Sequence, residues 1–238
     1  MLNWGVKNCR KLMLLFFLLV PVLLSSAYPV NAKETAARKT VYLTFDDGPG
    51  KYTNSILNIL QKYHTKATFF MISGNMKNNP KNVLRIIREG HYPALHSVSH
   101  DAHKLYKINS TNFANEMVTA QQTLYKISGF KSRLMRAPYG STYTTKAMRD
   151  YAVKKGFKMW DWTVDPRDWA LARHPEKILE NIKAQTKRTR EVIILHENSQ
   201  TVKELPQILD YLRKRGYEMK PYDPKHHFTV NFFNDKRL

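Results

Sequence analysis

The 238-residue chain carries 39 Lys+Arg against 19 Asp+Glu, for a formal charge of +20, and has a pI near 10.0. With 42% hydrophobic residues it is too apolar for a disordered tail, and its one cysteine excludes a disulfide scaffold or a cysteine-built zinc site. The length suits one domain or two small ones, and the charge asks for an anionic partner (nucleic acid, an anionic membrane or an acidic wall polymer) without choosing among them.

The chain opens with Lys7, Arg10 and Lys11, then an uncharged stretch from Leu12 to Ala27 that contains Pro21. Val30-Asn31-Ala32 follows as a small-residue cleavage site. This is signal-peptide architecture, short for a membrane span of about 20 residues; an uncleaved anchor is the alternative. Cys9 precedes the apolar run and is not placed as a lipid-attachment cysteine. Residues 1–32 hold three basic and no acidic residues, so their removal leaves 206 residues, a charge of +17 and no cysteine.

Beyond that segment, short apolar runs alternate with amphipathic ones. Strands are expected at Val41–Asp46, Ala67–Ile72, His91–His96, Arg133–Arg136, Phe157–Val164, Glu191–His196 and Tyr217–Lys220. Between them the spacing predicts helices: one capped by Thr53, one opened by Asn79-Pro80, one from Ser110 to Ser128, then Thr144–Lys155, Pro175–Lys187 and Val202–Arg215. Gly90, Gly129, Gly156 and Gly216 stand where helices end. Seven strands alternating with six helices imply an α/β domain with a parallel sheet. The count suits a distorted, incomplete (β/α) barrel with about seven parallel strands, and a doubly wound sheet is the alternative. Pro93 makes the third strand the least regular of them.

Polar clusters fall at the strand ends. Thr44-Phe45-Asp46-Asp47-Gly48-Pro49 closes the first strand and His96-Ser97-Val98-Ser99-His100 the third. Arg136-Ala137-Pro138-Tyr139-Gly140 follows the fourth, Asp165-Pro166-Arg167-Asp168-Trp169 the fifth, and Ile194-Leu195-His196 ends the sixth. In a (β/α) barrel the C-terminal strand ends open onto one face, where active sites are built. Two imidazoles at i and i+4 have metal-ligand spacing, and with one carboxylate they form a two-His, one-carboxylate centre with open positions. That set suits either a hydrolytic zinc-like ion or a ferrous oxygenase. The second carboxylate of the Asp-Asp pair is free to act as a base on activated water. His196 can protonate a leaving amine, an acidic residue can hold its tautomer, and Arg136 supplies a fixed charge to hold the base ionised. An acid–base pair beside an electrophilic ion describes amide or ester hydrolysis, and oxygenase chemistry needs no such pair.

At these residues the chain resembles the polysaccharide deacetylases with a NodB-type homology domain, carbohydrate esterase family 4, from about Thr40 to Tyr222. The resemblance implies that Asp46 is the catalytic base, that Asp47, His96 and His100 are the metal ligands, and that Arg136 orients the base. It further implies that the Tyr139 backbone N–H serves the oxyanion, that Asp168 tunes the acid His196, that Trp169 walls the groove and that Ile194 borders the acetyl methyl. Departures are Ala137 for a common proline, Ala94-Leu95 before the first histidine, Ile194 for leucine and Glu197 where aspartate is frequent. No ligand, base or acid is lost.

The expected protein is therefore a metal-dependent N-deacetylase of N-acetylated amino sugars. Peptidoglycan N-acetylglucosamine is favoured as substrate. N-acetylmuramic acid, chitin oligomers, an exopolysaccharide, acetylated xylan or a non-catalytic glycan-binding role are the alternatives. The cofactor is one divalent ion, with zinc favoured over cobalt, nickel or iron. The expected domains are 1–32 signal, 33–222 catalytic, and 223–238 an extension without a reading. A secreted or envelope-associated bacterial monomer is expected, held electrostatically by an anionic envelope. No nucleic acid is expected, since no basic-aromatic recognition segment is present. Trp160 and Trp162 are read as core or sugar-stacking. Lys183, Lys187, Arg188 and Arg190 are read as a solvated helix face, and His64, His91, His103 and His174 as surface or loop residues.

Overall fold

A computed structural model describes residues 39–238, and the expected signal segment lies outside them. The chain order is β1 (Lys39–Gly48), α1 (Thr53–Lys62), β2 (Thr68–Met71), α2 (Ser73–Asn78), α3 (Pro80–Arg88), β3 (Tyr92–Leu95), α4 (Ala102–Tyr106) and α5 (Asn112–Ser128). It continues through β4 (Leu134–Met135), α6 (Lys146–Lys154), β5 (Lys158–Met159), α7 (Glu176–Gln185), β6 (Arg190–His196), α8 (Ser199–Lys214) and β7 (Tyr217–Met219). One parallel sheet runs β5-β4-β3-β2-β1-β6, with β7 paired to the first residues of β1. Beyond β5 the chain crosses to the far edge, where Val164 bridges Ile193. Only single bridges span that gap, so the barrel is incomplete.

The period-2 alternation of the strands sorts their side chains into two layers. Leu43, Phe45, Phe69, Met71, Leu95, Met135, Met159, Ile193 and Leu195 pack with helix residues such as Ile56, Leu60, Met117 and Leu205. Phe70, Ala94, Leu134, Trp160 and Val192 face the barrel interior, joined by Tyr42, Tyr222, Phe228 and Val230. Among them Phe70, Leu134 and Val192 are fully buried, each contributing about 1.5–3 kcal/mol. The same alternation carries Asp46, His96, Arg136, Ile194 and His196 onto the interior side, one layer nearer the C-terminal strand ends.

Several elements differ from the sequence expectation. The fifth strand is two residues long, because its continuation pairs with Val230 and Ile193 instead of a neighbouring strand. Helices α2 and α4 are additional; α4 is opened by Asp101, whose carboxylate accepts from the His103 and Lys104 N–H groups. Thr53 is the first helical residue, not the cap, and accepts a hydrogen bond from Gly50 N (2.7 Å). Helix α8 starts at Ser199, with Asn198 as its cap. Pro93 is tolerated because Tyr92 and His96 direct their N–H groups toward β2, so the missing donor at 93 faces β4, which pairs with β3 only at Leu95.

His91, expected at the surface, is buried. Its Nδ1 accepts from Ala67 N at 3.1 Å, and burial lowers the imidazole to about 4. The segment 223–238 is packed: Phe228 lies against Tyr42 and Trp160 at 5.2 and 4.7 Å between ring centroids, and Trp160 Nε1 donates to Phe228 O.

Candidate active site

Two adjacent residues in a regular strand point to opposite faces, so Asp46 and Asp47 would not ordinarily share a site. The β1–β2 register shifts between Asp46 and Gly48, and Asp47 takes a left-handed backbone, φ 70°. That break lets both carboxylates border one cleft. Ser97, His100, Tyr139 and Arg167 are also left-handed. Five of the seven non-glycine residues with positive φ among the described residues thus fall in the strand-end motifs. Such strain persists where surrounding contacts over-determine it and a site requires it.

The cleft has a volume of about 440 Å3 and is bordered by Asp46, Asp47, His96, His100, Tyr139, Trp169, Ile194 and His196, together with Ala137, Trp162 and Asp165. Arg136 and Asp168 stand behind it, each fully buried. Asp46 is 1% exposed, and burial raises its carboxyl above the ordinary range while the adjacent Arg136 charge opposes that rise. Arg136 Nη1 donates to Asp46 Oδ1 and to Thr44 Oγ1, both at 2.7 Å. Its Nε reaches Trp160 O at 3.1 Å and its Nη2 reaches Asp161 O at 2.7 Å, with the guanidinium 4.1 Å from the Phe70 ring. A buried cation so fully partnered is held in one orientation, and with it the Asp46 carboxylate.

Asp47, His96 and His100 bring ligand atoms within 4.8 Å of one another. Asp47 Oδ1 lies 3.5 Å from His96 Nε2 and 3.3 Å from His100 Nε2. Oxygen and nitrogen ligands about 2.1 Å from a shared tetrahedral ion stand about 3.4 Å apart, so the spacing fits a metal. Asp47 Oδ1 is moreover buried without a hydrogen-bond partner, which an ion would supply. His96 Nδ1 lies 3.0 Å from the Arg136 carbonyl, which can only accept, so Nδ1 carries the proton and Nε2 offers its lone pair. Burial depresses His96 to about 3, keeping it neutral as a ligand must be. His100 is steadied by Tyr139, whose hydroxyl donates to His100 O at 2.8 Å.

Across the cleft, His196 Nδ1 donates to Asp168 Oδ1 at 2.7 Å, and His196 N donates to Asp168 Oδ2 at 2.7 Å. Asn198 and Thr201, in the first turns of α8 and its cap, also donate to Asp168 Oδ2. Burial alone would depress His196; the Asp168 bond and charge, with Asp46 and Asp47 further off, overcome it and raise the imidazole to about 9. His196 is therefore protonated at neutral pH, with Nε2 available to a leaving group.

Some residues that build the site carry no motif. The Glu116 carboxylate, on α5, accepts from Val98 N, Ser99 N and Ser99 Oγ, fixing the loop between the two metal-side histidines. Glu197 takes the Thr53 hydroxyl and Gly50 N, tying the loop after β1 to the end of β6; burial raises it to about 7. Trp160 is core, whereas Trp162 borders the cleft.

A protonated imidazole and a buried carboxylate beside an Asp/His/His cluster, at the strand ends of an incomplete barrel, have the make-up of a metal-assisted hydrolase. The chain belongs to the polysaccharide deacetylase family, whose sequence model matches residues 33–160. It is 42% identical over 215 residues to a peptidoglycan-N-acetylglucosamine deacetylase of Bacillus cereus, covering 87% of this chain and 77% of that protein. It is 30% identical over 213 residues to a chitooligosaccharide deacetylase of Bradyrhizobium, covering 82% and 94%. A crystal structure of a polysaccharide deacetylase from Bacillus cereus superposes with a TM-score of 0.81 at 41% identity, covering 84% of this chain and all of that one.

Proposed function

We propose that this enzyme hydrolyses the acetamide of N-acetylglucosamine in peptidoglycan, releasing acetate and leaving a free amine on the glycan. The observation that carries the reading is the placement of Asp46. One carboxylate oxygen is pinned by Arg136 at 2.7 Å and the other lies 3.7 Å from His96 Nε2, at the edge of the ligand cluster. A carboxylate aimed there takes a proton from water entering the cluster, and Arg136 keeps it ionised and oriented. Asp47, His96 and His100 would hold one divalent ion, zinc by its fit to nitrogen and oxygen ligands and hydrolytic chemistry; cobalt, nickel or iron suit the same set. Such an ion supplies Lewis acidity toward the acetyl carbonyl and lowers the pKa of water from about 15.7 toward 7. His196, cationic below about 9, protonates the departing nitrogen, and Asp168 holds its tautomer. The Tyr139 N–H stabilises the oxyanion, Ile194 borders the acetyl methyl, and exposed Trp169 walls the sugar.

Acetate release from peptidoglycan and from chitin oligomers by the purified protein tests this. Asp46→Asn should lower the rate about 10²–10⁴-fold while leaving the bound metal in place. Chelation should abolish release. Acetate release that survives both treatments would remove Asp46 and the metal from the mechanism.

We infer that the enzyme works outside the membrane as a monomer, directed by the segment 1–32 and retained by acidic wall polymers through the +17 charge of the remainder. Retention on isolated cell walls should fall steeply as salt rises from about 0.05 to 0.5 M, because exposed charges are screened over that range. Salt-independent retention would remove the charge from this role.

A further inference from the structure

We propose that the C-terminal turn around Phe232 is a second sugar-binding surface, a stacking platform for a pyranose ring adjacent to the one being deacetylated. This rests on the deacetylase reading of the cleft and extends it beyond the strand-end motifs. Phe232 is 47% exposed, yet the turn that carries it is rigidly built. Val230 bridges Trp160, and Asp161 N donates to Val230 O at 2.7 Å. Asn231, largely buried, closes the turn through two 2.9 Å hydrogen bonds with the Asp235 backbone. The Arg149 guanidinium stacks 3.6 Å from the Phe233 ring centroid. An apolar ring is thus fixed in water by hydrogen bonds and packing beneath it, although folding gains nothing from its exposed face.

Two contacts join this turn to the cleft. The buried Asp161 carboxylate accepts from Phe232 N (2.7 Å) and also from Ser141 N (2.9 Å) and Ser141 Oγ, which lie two residues past Tyr139. The Phe232 ring meets Trp162 edge to face, 5.0 Å between centroids at 86°, and Trp162 borders the cleft. The backbone between them must be glycine: at Gly140, φ 97°, a Cβ would lie 3.1 Å from Phe232 Cε2 and 3.2 Å from the Trp162 ring. Close approach of these three groups sets the Phe232 ring directly against Trp162, a residue of the cleft border. The occupant that fits is the neighbouring ring of the same glycan. Its apolar C–H face stacks on an aromatic ring held at a fixed angle, while its hydroxyls remain in water.

The test uses the purified protein with N-acetylglucosamine and with chitin oligomers from disaccharide to hexasaccharide, with kcat and KM measured for Phe232→Ala and Phe232→Trp. The proposal expects Phe232→Ala to lower kcat/KM about three- to tenfold on the oligomers, mainly through KM, and to leave the monosaccharide unaffected. Phe232→Trp should restore the length dependence, with both unfolding midpoints within a few degrees of the parent. Phe232→Ala matching the parent at every length would overturn the platform and leave the deacetylase reading intact. Equal loss at all lengths with a lowered unfolding midpoint would also overturn it, assigning the ring to folding. No acetate from any oligomer with the unsubstituted protein would instead defeat the deacetylase reading.

Discussion

His96, just past the end of β3, and His196, the last residue of β6, face one cleft and are both largely buried, yet their imidazoles are driven in opposite directions, to about 3 and about 9. The difference lies in what each Nδ1 meets. His96 donates to a neutral carbonyl, so burial dominates and the ring stays uncharged. His196 donates to a fully buried carboxylate, whose charge outweighs burial and holds the proton. One side of the cleft is thus poised to ligate and the other to act as an acid, with no difference in residue type. Exchanging the two losses should break the pairing most visibly. His96→Ala should abolish both metal content and acetate release. His196→Asn should lower acetate release about 10²–10⁴-fold with metal content unchanged. Metal analysis beside the rate distinguishes them; metal loss in His196→Asn would make both histidines part of one ligand set.

How much of this was legible from sequence depends on whether a role is carried by local spacing or by distant contacts. Glu191–His196 shows its strand and its terminal histidine in six consecutive residues, and the structure extends it only to Arg190. The His96/His100 spacing likewise survives, though the loop between them is no regular helical turn: Ser97 and His100 are left-handed and Glu116 ties the intervening backbone. The fifth strand was overextended because Trp160 and Val164 find their partners 70 and 29 residues away. No window of sequence contains those pairings. Asp161 is the same kind of case: it reads as an isolated acid between tryptophans and becomes a buried junction of three segments. The Asp101 cap of α4 was readable in principle, since a helix opened by Asp is a local signal.

The finer test of the contrast removes its cause and keeps the histidine. Asp168→Asn preserves size but takes away the charge, and leaves one acceptor oxygen where the carboxylate offers two. Because the folded imidazole is raised above 6.5, the acid is present below about 9 and lost as pH rises through that value. Acetate release should therefore fall off near pH 9 in the unsubstituted enzyme. Without the Asp168 charge, burial is opposed only by the more distant Asp46 and Asp47, so the alkaline fall-off should move down toward 6.5 or below it. At neutral pH the loss should be on the order of 10²-fold, and at acid pH smaller, because the imidazole is again protonated there. A merely structural role for Asp168 would lower the whole profile without moving it. An unmoved alkaline limb would mean that His196 owes its proton to Asp46 and Asp47, which lie on the metal side, and the two halves of the cleft would then be one coupled group.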